Sequence, residues 1–189
     1  YCIDWDNISP DFIFMGKTLA AGYIPLSGFV TSSKISKKII SKMGSIQFST
    51  THQGHSLATA AGIEVQKIIH SKYFLKDVIK KGNYLRKTLN DELGNHEFFS
   101  NVRGRGLRNS LEYNCSNRHL FGIAMTDYAK NNLDLLISAK WHRVCFSPAI
   151  NIKFKDLDKI LEKFIYCFKM VSRNWSDKKI RQIKHRQFF

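Results

Sequence analysis

The run Phe12-Ile13-Phe14-Met15-Gly16-Lys17 constrains this chain more than any other stretch. Four consecutive apolar residues predict a short buried strand that stops at Gly16. Glycines at 16, 22 and 28 then let the backbone turn sharply and approach something closely. A single lysine stands at the strand end among small and apolar residues. Lysine is almost never fully buried without a partner. Desolvation favours the neutral amine, and a neutral amine attacks carbonyl carbon. Lys17 is therefore a candidate Schiff-base nucleophile. The alternative is a surface lysine that simply closes a strand.

Further along, Ser27 to Ser32 reads as a second strand, and Ser33 as the cap of a helix over 34–43. From Leu57 to Gly94 apolar residues recur at helical spacing, with a hesitation at Ser71-Lys72-Tyr73, and Gly94 is the expected stop. The pair Gly104-x-Gly106 invites a nucleotide-loop reading. No helix pattern opens behind it, so that reading is rejected. Instead Leu107, Asn109, Leu111 and Tyr113 alternate as a strand should. A helix is predicted over 119–132, strands over 135–137 and 141–150 with Pro148 at the end of the second, and an amphipathic helix over 156–171. The tail from Ser172 is charged and expected to fray. No repeat or low-complexity block interrupts this order.

Between the first elements lies Phe48-Ser49-Thr50-Thr51-His52-Gln53-Gly54-His55-Ser56-Leu57, a hydroxyl-rich loop running into a helix of small residues. Hydroxyls and unpaired amides ahead of a helix N-terminus suit an anion such as phosphate. Caps and turns use the same residues. His52 and His55 invite acid–base or metal readings, but no spacing supplies a third ligand, so no metal site is assigned.

Composition excludes some classes. With 43% hydrophobic and 13% aromatic residues the chain can build a core. No apolar run reaches the roughly 18 residues of a membrane-spanning helix. The start, Tyr1-Cys2-Ile3-Asp4-Trp5-Asp6, has neither an initiator methionine nor a signal-peptide pattern, and is expected to be the middle of something longer. Four cysteines share no metal or redox spacing, and reduced thiols in a cytoplasmic protein are expected. Thirty Lys and Arg against fifteen Asp and Glu give +15. Such a charge favours anionic partners. The cations are spread over helix faces, with a dense group only at Lys178 to Arg186, and no nucleic-acid signature accompanies them. Nucleic acid is accordingly disfavoured as a partner.

Four ordered stretches together resemble the class III aminotransferases, pyridoxal 5'-phosphate (PLP) enzymes of the aspartate-aminotransferase fold. They are Pro10-Asp11 through Gly16-Lys17-Thr18-Leu19 to Gly22-Tyr23-Ile24-Pro25-Leu26-Ser27; Thr51 through Gly54-His55 to Leu57-Ala58; Val102-Arg103-Gly104-Arg105-Gly106-Leu107; and Arg143 to Ile150. The resemblance covers nearly all of 1–171. It implies an α/β chain: the C-terminal part of a PLP-dependent transferase large domain (α/β/α, mixed sheet) over 1–94, ending in a long connecting helix, then a small α+β domain over 95–171 and a basic tail over 172–189.

The resemblance also implies roles. Lys17 would carry PLP as the internal aldimine. Thr51, or Thr50 one residue earlier, would contact the PLP phosphate across a homodimer interface. Departures from the pattern are His52 for tyrosine and Ser56 for proline. In the late strand an arginine often grips the substrate carboxylate. Alignment on Pro148 puts Cys145 there, and Arg143 is two residues earlier on the same strand face. Arg143 is thus either a substrate-binding residue or a surface residue. The implied reaction moves an amino group between an amine or amino acid and a 2-oxo acid or aldehyde. An aminomutase or racemase of the same family, and a non-catalytic basic binding module, are the other classes. Members are longer than this chain, so the fragment is expected to lack the aspartate that meets the pyridine nitrogen and to be inactive alone. Asp4, Asp6 and Asp11 do not stand in that aspartate's motif.

Overall fold

The computed structural model describes residues 6–176. The chain carries both helices and strands, and it divides into two compact units between Leu75 and Lys76.

In the first unit, β1 (Phe12–Met15) pairs antiparallel with β2 (Gly28–Thr31), Phe14 opposite Phe29. A 3₁₀ turn, Lys17–Ala20, follows β1 at once. Helix α1 (Ser33–Met43) is capped by Ser32, whose Oγ accepts the Ile35 N–H at 3.3 Å, one residue before the expected cap. Helix α2 (Ser56–Ile69) comes next. The strand expected to be buried is not. Phe12 is 41% exposed and Phe14 80%, because nothing in the described unit covers the hairpin's outer face. Only Ala20, Ala58 and Gly62 are buried among the described residues of this unit.

The second unit has a true core. Helix α3 (Phe74–Leu93) is separate from α2: the chain breaks at His70, whose amide bonds back to Gln66 and Ile68. Leu85, Leu89 and Leu93 of α3 enter the second unit's core, which places the division between compact units earlier than the expected boundary at 94. Strands β3 (Phe99–Arg105), β4 (Arg108–Tyr113), β5 (Ser138–Lys140) and β6 (Arg143–Phe146) form an antiparallel sheet in the order β3-β4-β6-β5. One sheet face, with Leu111, Tyr113, Val144 and Phe146, is buried with α3, α4 (Arg118–Leu133) and α5 (Phe154–Arg173). Alternation at 107, 109, 111 and 113 was read correctly: all four are at most 3% exposed. Gly106, at φ 50°, opens the β3–β4 turn, and Gly82 of α3 sits so close that a Cβ there would lie 1.9 Å from the Gly106 carbonyl oxygen.

Two strand expectations need correction. Residues 135–137 are not a strand; Leu135 instead donates its amide to Ala129, sealing the end of α4. The strand expected over 141–150 is β6 alone, because Trp141 takes φ 61° and turns the chain between β5 and β6. Ser172, expected to begin a frayed tail, is buried within α5, and Trp175 donates its indole N–H to Ser116 O at 3.0 Å. The basic group at Lys178 to Arg186 lies outside the described residues.

Candidate functional site

Lys17 is positioned by its backbone turn. Gly16 is extended, and Lys17 then adopts φ 54° in the left-handed region. That conformation costs a residue with a Cβ about 1–2 kcal/mol. The turn is held by Leu19 N–H to Gly16 O at 3.2 Å, Ala21 N–H to Thr18 O at 2.9 Å and Tyr23 N–H to Ala20 O at 3.0 Å. The Lys17 side chain is exposed and has no partner among the described residues, so the expected desolvation is not supplied by this unit.

Helix α2 seats this loop. Ala58, Gly62 and Gln66 recur every fourth residue and share a face. A Cβ on Gly62 would lie 2.6 Å from Leu26 Cδ2, and Gln66 Nε2 donates to Leu19 O at 3.2 Å. The same α2 ends the hydroxyl-rich loop. Its N-cap is His55, whose Nδ1 accepts the Ala58 N–H at 3.3 Å. His55 thus has a structural task that the sequence reading missed, and its ring takes one amide expected to be open to an anion. Thr50 and Thr51 are exposed and their hydroxyls have no partner among the described residues. Thr50 O accepts the Gln53 N–H at 2.9 Å and fixes the turn over 51–54. One unit therefore contains Lys17, Thr50 and Thr51, with both of their loops bound to α2.

Arg143 belongs to the second unit, on the open face of the four-stranded sheet. Arg143 and Cys145 share that face, while Val144 and Phe146 point into the core. Across the strands Arg143 faces Glu112 of β4 and Lys140 of β5. Glu112 is held instead by Arg103 of β3, with Nε at 3.0 Å and Nη2 at 2.5 Å from Oε1. Asn101 Nδ2 adds a hydrogen bond to Oε2 at 3.2 Å. The Arg103 guanidinium holds the Glu112 carboxyl below the usual carboxylate range. Arg143 and Lys140 have no hydrogen-bond or ion-pair partner among the described residues.

Other reactive groups are accounted for. The described cysteines are free; burial pushes the Cys115 thiol up to about 11 and the Cys167 thiol up to about 12. Among the described residues no cluster of His, Cys, Asp and Glu could hold a metal ion, and no helix is long and apolar enough to cross a membrane.

The family model for class-III aminotransferases matches residues 1–168, and the chain belongs to that family. It is 35% identical over 112 residues to an aminotransferase of Gibberella zeae, covering 58% of this chain and 22% of that protein. A solved transaminase with L-alanine superposes with a TM-score of 0.82 at 21% identity, covering 93% of this chain and 44% of the other. The omega transaminase of Pseudomonas jessenii in complex with PMP gives a TM-score of 0.82 at 21% identity, over 92% of this chain and 40% of that one. The fold is α/β and corresponds to the C-terminal portion of these transaminases. The chain spans less than half the length of the relatives it matches.

Proposed function

We propose that this chain is the lysine-bearing part of a PLP-dependent aminotransferase, transferring an amino group between an amine or amino acid and a 2-oxo acid or aldehyde. The observation that carries the reading is Lys17. A class-III chain places an amine with no partner among the described residues on a left-handed backbone, directly behind a strand. Backbone strain of this kind concentrates at functional sites.

The residues present fit the cofactor's two handles. The Lys17 amine is the nucleophile for an aldehyde. The Thr51 hydroxyl, or that of Thr50, has no partner among the described residues and is a donor for the phosphate dianion of the PLP held by the partner subunit, which takes charge-assisted hydrogen bonds. PLP supplies the electron sink that lets the Cα proton of a bound amine leave. With PLP bound elsewhere in the site, the free Lys17 amine would be the base that accepts the substrate's Cα proton at its Nζ. Arg143 offers a planar fork to a substrate carboxylate.

In this reading the assembly is a homodimer and works in the cytoplasm. The 189 residues alone lack the opposite wall of the site, and exposed Phe14, Tyr23 and Leu57 are the surfaces that the rest would cover. The test is amino transfer by the PLP-loaded assembly that contains this chain. Lys17→Ala should remove nearly all turnover while leaving the assembly folded. Retained turnover in that variant would refute the assignment.

A further inference from the structure

We propose that Arg103 and Asn101 act as positioning residues for the carboxylate site by keeping Glu112 away from Arg143. The inference rests on the reading of Arg143 as the carboxylate anchor. Along one row of the open sheet face the cross-strand neighbours run Asn101, Glu112, Arg143, Lys140. Opposite charges that face each other across strands normally pair, and like charges facing each other repel. Here the pattern is reversed. Glu112 faces Arg143 directly, yet its Oε1 is taken by Arg103, reaching diagonally from the next row, and its Oε2 by Asn101. The side chain of Glu112 is only 15% exposed, so it has little room to serve a second cation.

The consequence falls on the other end of the row. Arg143 and Lys140 are cross-strand neighbours of like charge, and neither has a partner among the described residues. Two adjacent unpaired cations raise the local potential and suit a single carboxylate placed between them. An uncommitted Glu112 would occupy Arg143 as an internal competitor. Arg103 and Asn101 remove that competitor without removing its charge from the sheet. The ligand class is a carboxylate carried on the amino donor or acceptor.

The experiment reads Arg143 itself. In the assembly that contains this chain, arginines are modified with phenylglyoxal and the rate at Arg143 is followed by peptide mass spectrometry, with and without succinate. In the wild type Arg143 should react fast and succinate should slow it. In Arg103→Gln, Glu112 turns to Arg143, and both the reaction rate and the succinate affinity should fall roughly twofold to fivefold, the range of an exposed ion pair. Arg103→Gln combined with Glu112→Gln should restore both. Arg103→Lys, which keeps a charge beside Glu112, should lie between; it also decides the matter if Arg103→Gln unfolds, which would show as faster modification everywhere. An unchanged rate at Arg143 in the Arg103 variants overturns the proposal, as does a double variant that stays slow. If succinate protects nothing in the wild type while Arg103→Gln still slows Arg143, the pairing competition is upheld and the carboxylate reading of Arg143 is what fails.

Discussion

Thr51 sets the clearest expectation at the scale of single residues. Its hydroxyl is exposed, has no partner among the described residues and is held on a turn that α2 anchors. A hydrogen bond to a charged group contributes about 1.5–3 kcal/mol, so Thr51→Ala should weaken PLP binding roughly tenfold to a hundredfold, measured by cofactor titration of the assembly. Full affinity in Thr51→Ala with a loss in Thr50→Ala would move the role one residue back. Single residues were also where the sequence said most about chemistry and least about support. The sequence singled out Lys17, because a lone lysine behind an apolar run is odd and the family resemblance puts the cofactor lysine there. It did not single out His55 as a cap, since an imidazole capping a helix leaves no pattern distinct from a ligand or a base. The pairing of Arg103 with Glu112 was illegible for a different reason. It depends on strand register, and nothing in the spacing of 103 and 112 shows which strands lie side by side.

Elements were legible wherever a period ran long enough. The helices α4 and α5 and the alternation in β4 follow directly from apolar spacing, and the core of the second unit is built on those positions. The β5–β6 hairpin was misplaced because its turn, Lys140-Trp141-His142-Arg143, contains no glycine, asparagine or proline to announce it. Trp141 accepts φ 61° there, where a glycine would be expected. Helix α3 and the β3–β4 turn meet through two glycines, and this contact yields a contrast. At Gly82 an added Cβ meets the Gly106 backbone, which cannot step aside; at Gly62 it meets only the end of the Leu26 side chain. Gly82→Ala should therefore cost about 1–3 kcal/mol of stability, and Gly62→Ala clearly less. Urea unfolding of the two variants checks this, and equal midpoints would contradict the packing described for α3.

The two units differ in kind at the scale of the whole molecule. The second buries a continuous core of leucines and phenylalanines. The first leaves Phe12, Phe14, Val30, Phe48, Leu57 and Ile63 exposed and has strand edges in a two-stranded sheet. Apolar patches and open edges of this sort promote association. An isolated two-stranded hairpin is marginally stable in water. The sequence pattern predicted a buried β1, but in the described unit Phe12 and Phe14 of that strand are exposed, because no second layer packs on them there. Expressed alone, the 189 residues should be poorly soluble and should show no steady amino transfer when PLP is added, measured by product formation over time. Sustained turnover would mean that this chain completes its site unaided.

The cofactor lysine is the claim on which the rest depends, and it can be read directly. The assembly containing this chain is isolated with its cofactor, reduced with borohydride and digested, and the modified peptide is identified by mass spectrometry. The account predicts one pyridoxyl group, on Lys17, and none in Lys17→Ala. A pyridoxyl group on any other lysine, or none in the intact assembly, would contradict it.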